Sequence, residues 1–122
     1  MENLGLKESF WSGKRVLLTG HSGFKGGWTS LMLTMLGAEV HGLSLPPTED
    51  SRFFHAVGIE RRISGSTYAD ITNYQLCLDV MQAFQPDIIL HMAAQPLVRE
   101  SYTNPLETYK VNVIGVANLL EA

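Results

Sequence analysis

Between Thr19 and Gly26 the chain reads Thr-Gly-His-Ser-Gly-Phe-Lys-Gly, with an apolar run before it and helical periodicity after it. Three glycines at GxxGxxG spacing in that setting leave few folds open. Gly20 permits a tight turn, Gly23 lets backbone amides approach a diphosphate, and Gly26 allows close packing of helix on strand. Free amides at the helix start then face the anion, helped by the helix macrodipole. The other phosphate loop requires Gly-Lys followed by Ser or Thr, which this sequence lacks. Three ordinary turn glycines are the plain alternative; the strand-turn-helix context argues against it.

Turn residues and hydrophobic periods alternate along the rest of the chain in a β-α-β manner. Lys14–Thr19 reads as a buried strand and Phe24–Leu36 as a helix stopped by Gly37. Glu39–Ser44 is a second strand. Leu45–Ser66, with Pro46-Pro47, Asp50 and Gly58, reads as a surface excursion holding a short helix around Ser51–Val57. Thr67–Ala69 is a minimal third strand. Thr72 and Gln75 form a capping-box pattern ahead of an amphipathic helix carrying Leu76, Val80 and Phe84 on one face. Pro86 ends it, Asp87–Met92 is a fourth strand, and a loop leads to a helix from Pro105 to the last residue.

Nearly continuous apolar strands imply a parallel sheet covered on both faces. The expected fold is α/β, a Rossmann-like doubly wound sheet in order 3-2-1-4. Such a sheet normally continues to further strands, so the chain reads as a truncated N-terminal half. Residues 1–13 form an N-terminal arm and residues 14–122 an incomplete dinucleotide-binding half-domain. The final helix, with Tyr109, Val111, Val113, Ile114, Val116, Leu119 and Leu120, is apolar nearly all round and expects cover on more than one side.

Composition narrows the class. With 122 residues, 45% of them hydrophobic and a net charge of −3, the chain is a single globular module rather than a disordered one. A single cysteine forms no internal bridge. No basic stripe points to nucleic acid, and the charge-free run Gly26–Ala38 is shorter than the ~20 residues of a membrane helix. Met1–Ser12 lacks the apolar core of a signal peptide, which makes the cytoplasm the expected compartment. His21, His41, His55 and His91 show no metal-ligand spacing. His21 is placed to neighbour a bound phosphate, His91 reads as strand-end packing, Cys77 as a small buried hydrophobe, and Trp11 and Trp28 as packing groups.

Dinucleotide folds usually place an acid at the end of the second strand for the ribose 2′-hydroxyl. Here that position falls near Ser44, with neither acid nor arginine, so the residues leave NAD and NADP both open. Asp70, followed by Ile71, is placed either to hold an adenine or to start a helix as a plain acid. His91-Met92-Ala93-Ala94-Gln95 ends the fourth strand in small residues, where a backbone passes close to a cofactor.

These residues resemble the extended short-chain dehydrogenases/reductases. The match lies in Thr19-Gly20-x-x-Gly23-x-x-Gly26, Asp70-Ile71, Ala93-Ala94 and Asn112-Val113-x-Gly115-x-x-Asn118-Leu119-Leu120. Gly23-Phe24-Lys25-Gly26-Gly27-Trp28, Phe84-Gln85-Pro86-Asp87 and Ala93-Ala94-Gln95-Pro96-Leu97-Val98-Arg99 are similar to a narrower branch, the CDP-glucose 4,6-dehydratases. The resemblance implies a lyase using NAD, with oxidation at C4 of the hexose of CDP-glucose, loss of water across C5 and C6, and return of hydride to C6. It implies that Gly20, His21, Ser22, Gly23, Phe24, Lys25 and Gly26 lie against the diphosphate. Asp70 and Ile71 would hold the adenine, and Ala93, Ala94 and Gln95 would border the nicotinamide ribose. Arg99 and Ser101 fall where substrate enters. Asn112 either helps order the site or is a buried structural amide.

The resemblance further implies a homo-oligomer through helix 105–122. The family's Tyr-x-x-x-Lys pair is absent: Tyr68, Tyr74, Tyr102 and Tyr109 are followed four positions on by Thr72, Leu78, Leu106 and Val113. In the family that pair follows the fifth strand, so residues 1–122 alone are expected to be inactive. The other readings are another NAD-dependent epimerase or dehydratase of nucleotide sugars, and a non-catalytic dinucleotide-binding module.

Overall fold

The structure, a computed structural model, describes residues 8–122. Of the expected N-terminal arm, Glu8–Trp11 forms one helical turn, α1; residues 1–7 lie outside the described residues. Four strands follow, β1 (Arg15–Thr19), β2 (Glu39–Ser44), β3 (Gly65–Tyr68) and β4 (Ile88–His91). They form one parallel sheet in the order β3-β2-β1-β4, as expected. The helical elements are α2 (Phe24–Met35), α3 (Arg52–Val57), α4 (Ile59–Arg62), α5 (Tyr74–Phe84), α6 (Val98–Thr103), α7 (Pro105–Tyr109), a π-helical turn at Lys110–Ile114, and α8 (Gly115–Glu121).

Strand alternation divides the core in two. Val16, Leu18 and Val40 pack with Leu33, Phe54 and Ile59 from the α2, α3 and α4 layer. Leu17 and Leu43 pack on the other face with Val80, Phe84 and Leu119 from α5 and α8. Val16, Leu17 and Leu18 are all fully buried, each burial stabilising the fold by ~1.5–3 kcal/mol. A central strand covered on both faces needs consecutive apolar residues, which is why this one was legible.

Register sets the site. Thr19 pairs with Leu43 on one side and His91 on the other, and Ser44 pairs with Tyr68. The strands therefore end at one level, and the loops after them leave from the same edge.

Several local expectations are corrected. The cap of α5 is Asn73, whose side chain accepts from the Leu76 N–H at 3.3 Å. Thr72 is held instead by Asp70, and Gln75 turns to Asp79; the nearer carboxylate captures the hydroxyl that a capping box needs. Strand β3 begins two residues early, at Gly65, and the excursion before it holds a second short helix, α4. The loop after Gln95 contains α6, and the last helix is interrupted by the π turn. Pro105 stands at the start of α7 and Asn104 caps it.

Candidate functional site

Gly20 leaves β1 with φ +82°, its N–H bonded to the Leu43 carbonyl at 2.9 Å. A side chain there would meet the Ala93 nitrogen and the Met92 carbonyl carbon at 2.9 Å, so the backbone leaving β4 passes directly against the turn. A Cβ at Gly26 would run into the Gly20 carbonyl, which is how closely α2 returns onto the strand it follows. Gly23 differs. Its φ of −80° suits any residue, and a Cβ there would meet nothing nearer than the Gly20 oxygen at 3.4 Å. No internal packing demands glycine at this point; a side chain would fill the space outside the turn.

Helix α2 starts from Gly23 without a side-chain cap. Among the described residues nothing accepts from the backbone N–H groups of Phe24, Lys25 or Gly26, whereas the Gly27 N–H bonds the Gly23 carbonyl at 2.8 Å. These are the amides that favour an anion at a helix start. Phe24 and Lys25 are exposed, and the Phe24 ring meets Phe53 and Trp28 edge-on. Trp28 also stacks on Phe53 at 4.6 Å. Ser22 ties the turn to the end of β2: its hydroxyl lies 3.1 Å from that of Ser44 and donates to the Leu45 carbonyl at 3.4 Å.

The imidazole of His21 is not at the outer rim of the turn. It is fully buried, lies against Gly42, stacks on Tyr68 at 5.8 Å, and has Nε2 3.0 Å from the Ser66 hydroxyl. Burial, aided by the nearby His41, lowers its pKa to about 4. A neutral ring fits a core position that offers Nδ1 no partner. Any part His21 plays at the turn falls to its backbone.

Thr19, to which sequence reasoning gave no role, organises the exit of β4. Its Oγ1 accepts from the Met92 and Ala93 N–H groups at 2.9 and 3.0 Å and lies 2.7 Å from His91 Nδ1. With both lone pairs engaged, the hydroxyl proton points at Nδ1, so His91 is neutral with its proton on Nε2. Burial likewise lowers the His91 pKa. His91 is thus a hydrogen-bonding group at the strand end, a correction to its reading as packing. The signal was a threonine as the last strand residue before a glycine turn.

Asp70 is exposed at the end of β3, and its Oδ1 accepts from the Thr72 N–H at 2.9 Å and from the Thr72 hydroxyl at 2.8 Å. Ile71 beside it is buried and its carbonyl accepts from Asn118 Nδ2 at 2.8 Å. Past β4, the Gln95 N–H donates to Asn112 Oδ1 at 2.8 Å, and the Gln95 side chain donates to the Thr108 hydroxyl at 2.8 Å. The turn, Asp70-Ile71 and Ala93-Ala94-Gln95 thus follow three strands at one edge of the sheet. Direct contact joins the turn to Ala93; the structure gives none between Asp70 and the other two. Arg99 stands in α6 and is exposed.

Among the described residues no cluster of three His, Cys, Asp or Glu side chains is arranged to hold a metal ion. No helix of the described residues is long and apolar enough to cross a membrane. Cys77 is buried with its thiol toward the Ile71 carbonyl, and burial pushes its pKa up, as suits a small packing group.

Residues 17–122 match the family model for GDP-mannose 4,6 dehydratase. The chain is 45% identical over 116 residues to CDP-glucose 4,6-dehydratase of Salmonella typhimurium, covering 95% of this chain and 32% of that protein. UDP-glucose 4-epimerase of Stenotrophomonas maltophila, solved with bound NAD and formylated UDP-arabinopyranose, superposes with a TM-score of 0.74 at 28% identity, over 88% of this chain and 32% of that one. The NAD complex of Thermus thermophilus UDP-glucose 4-epimerase gives 0.75 at 28% identity with the same coverage. The chain therefore spans about a third of the length of these relatives.

Proposed function

Because the chain belongs to the GDP-mannose 4,6 dehydratase family, we propose that residues 14–122 are the cofactor-binding half-domain of an NAD-dependent nucleotide-sugar 4,6-dehydratase acting on CDP-glucose. The observation that carries this is Gly23. It is a turn glycine that no neighbour requires, set beside three amides without partners at an uncapped helix start. An outer space that a single Cβ would fill fits a diphosphate approaching within hydrogen-bonding distance of the backbone.

In this reading the amides of Phe24, Lys25 and Gly26 bind the diphosphate, with the turn geometry supplied by Gly20, His21, Ser22 and Gly23. Asp70 and Ile71 take the adenine, and Ala93, Ala94 and Gln95 border the nicotinamide ribose. NAD, when bound, supplies a two-electron acceptor and donor for the sugar. In the family resembled, the groups that move protons on the sugar are a Tyr-x-x-x-Lys pair, a pattern these 122 residues do not contain; they alone are expected to bind but not to turn over. The choice of CDP-glucose is supported by the Salmonella relative, and NAD by the NAD-bound epimerases. The reading carries a cytoplasmic location and a homo-oligomer formed through helix 105–122.

Calorimetric titration with NAD and with NADP tests the cofactor claim. Binding of NAD is expected, and heat from neither would overturn it. Substrate choice is tested on the chain joined to its family's catalytic portion, offered CDP-glucose, UDP-glucose and GDP-mannose with NAD. Loss of one water from CDP-glucose, read by mass spectrometry, is the expected result; turnover of only another nucleotide sugar would reassign the substrate.

A further inference from the structure

The segment from α7 to α8 touches the loops that follow both outer strands of the sheet. Asn112, in the π turn, bonds the Gln95 backbone after β4. Asn118, in α8, donates to the Ile71 carbonyl after β3 at 2.8 Å, across 47 residues of sequence. Between them Gly115 is buried against Ile71: a Cβ there would come within 2.5 Å of the Ile71 Cδ1. Leu119, next to Asn118, is buried in the same core as Ile71. Sequence motifs had included Asn118 without giving it a task.

The Ile71 carbonyl has one good donor. Among the described residues it receives, besides Asn118, only the Cys77 thiol at 3.5 Å, a weak donor. Asp70, one residue earlier, is pinned on its other side by Thr72 and through the Asn73 N–H to its carbonyl at 3.0 Å. The orientation of the peptide joining Asp70 and Ile71 to the rest of the loop is therefore set from behind by α8. We propose that Asn118 is a positioning residue for the adenosine end of the cofactor, fixing the Asp70-Ile71 loop through the Ile71 carbonyl. The proposal rests on the dinucleotide reading given above. It makes one helical segment the brace for the loops after both outer strands, Asn118 at the β3 loop and Asn112 at the β4 loop.

The test uses ADP and NAD as probes, titrated calorimetrically against the unmutated chain and Asn118→Ala at a temperature where both are fully folded. ADP carries the adenosine and diphosphate but no nicotinamide. Asn118→Ala is expected to weaken ADP and NAD by the same factor, about tenfold, the range of one hydrogen bond. A loss confined to NAD, or unchanged ADP affinity, overturns the proposal. Should the alanine variant not fold, Asn118→Ser carries the same expectation. In the unmutated chain the Asn118 side-chain amide resonance should move on saturation with ADP; a stationary resonance also overturns it. If the unmutated chain binds neither ADP nor NAD, the dinucleotide reading itself falls and this proposal falls with it. Binding by the unmutated chain with no effect at Asn118 defeats this proposal alone.

Discussion

The side chain of Asn112 closes a two-point ring with the backbone of Gln95, accepting from its N–H at 2.8 Å and donating to its C=O at 3.1 Å. A residue in a loop beyond a strand has no ladder partner, so its conformation depends on what answers its backbone N–H and its backbone C=O, which belong to the two peptide groups on either side of it. Here one amide answers both, from a π turn. An extra residue of that kind inside a helix re-aims side chains and often marks a functional position.

Asn112→Ala should therefore leave two part-buried backbone groups unanswered and lower stability by about 1–3 kcal/mol. Asn112→Asp keeps the acceptor for the N–H but opposes the carbonyl, so its effect on urea unfolding should be no smaller. Both variants should weaken NAD. A stability within 0.5 kcal/mol of the unmutated chain (about the error for a surface change) would show that the bracket contributes nothing.

At the turn, the three motif glycines should separate by experiment. Gly20→Ala forces a side chain onto a positive φ and against Ala93, and Gly26→Ala collides with the Gly20 carbonyl; each should lower the thermal midpoint. For Gly23→Val the Cβ meets only the Gly20 oxygen, at 3.4 Å. The variant should keep the midpoint within a few degrees and lose NAD binding by more than about tenfold, which is 1.4 kcal/mol. Retention of NAD affinity in a folded Gly23→Val chain would remove the diphosphate from this turn.

His21 gives the fold a pH dependence of known sign. Its pKa falls from 6.5 in the unfolded chain to about 4 in the folded one, so between those values the unfolded state binds the extra proton. Stability should rise with pH from about 4 to about 6.5 and level off above, by an amount on the order of 3 kcal/mol. The lowered pKa values of His41 and His91 act in the same direction. Urea midpoints measured from pH 4 to 8 check this. His21→Leu, neutral throughout, should flatten the profile; an unaltered slope would mean that His21 does not titrate as a buried group.

Along the last helices Leu106 and Leu120 are 81% and 83% exposed, and Tyr109 is 68% exposed. If helix 105–122 joins two copies, light scattering of the unmutated chain should give a dimer mass. Leu106→Lys with Leu120→Lys should give a monomer, since lysine at the centre of an apolar interface is strongly disfavoured. A monomeric unmutated chain at high concentration would remove the interface.

Much of this was legible because the physics was local or periodic. Val16-Leu17-Leu18 must be buried on both faces, and the alternation of strand and helix along the chain then left one reasonable sheet order. The turn glycines between Thr19 and Gly26 carried their backbone demands in their identity. What escaped depended on competition between neighbours. Thr72 looked like a cap until Asp70, two residues away, took its hydroxyl. The π turn at Lys110–Ile114 has no composition signature, and the ring of His21, read as a neighbour of phosphate, swings instead into the hollow left by Gly42 in β2.

By itself the sequence determined the parallel sheet and its order and the glycine turn, because strand periodicity and glycine stereochemistry act over a few residues. The tertiary structure alone decided that Thr19 governs the exit of β4, that His21 is a neutral core group, and that Asn112 and Asn118 hold the backbone of Gln95 and Ile71. Each of those facts is a hydrogen bond or contact between residues far apart in the chain. Such partners are chosen by which lone pairs and N–H groups the packed core leaves facing one another.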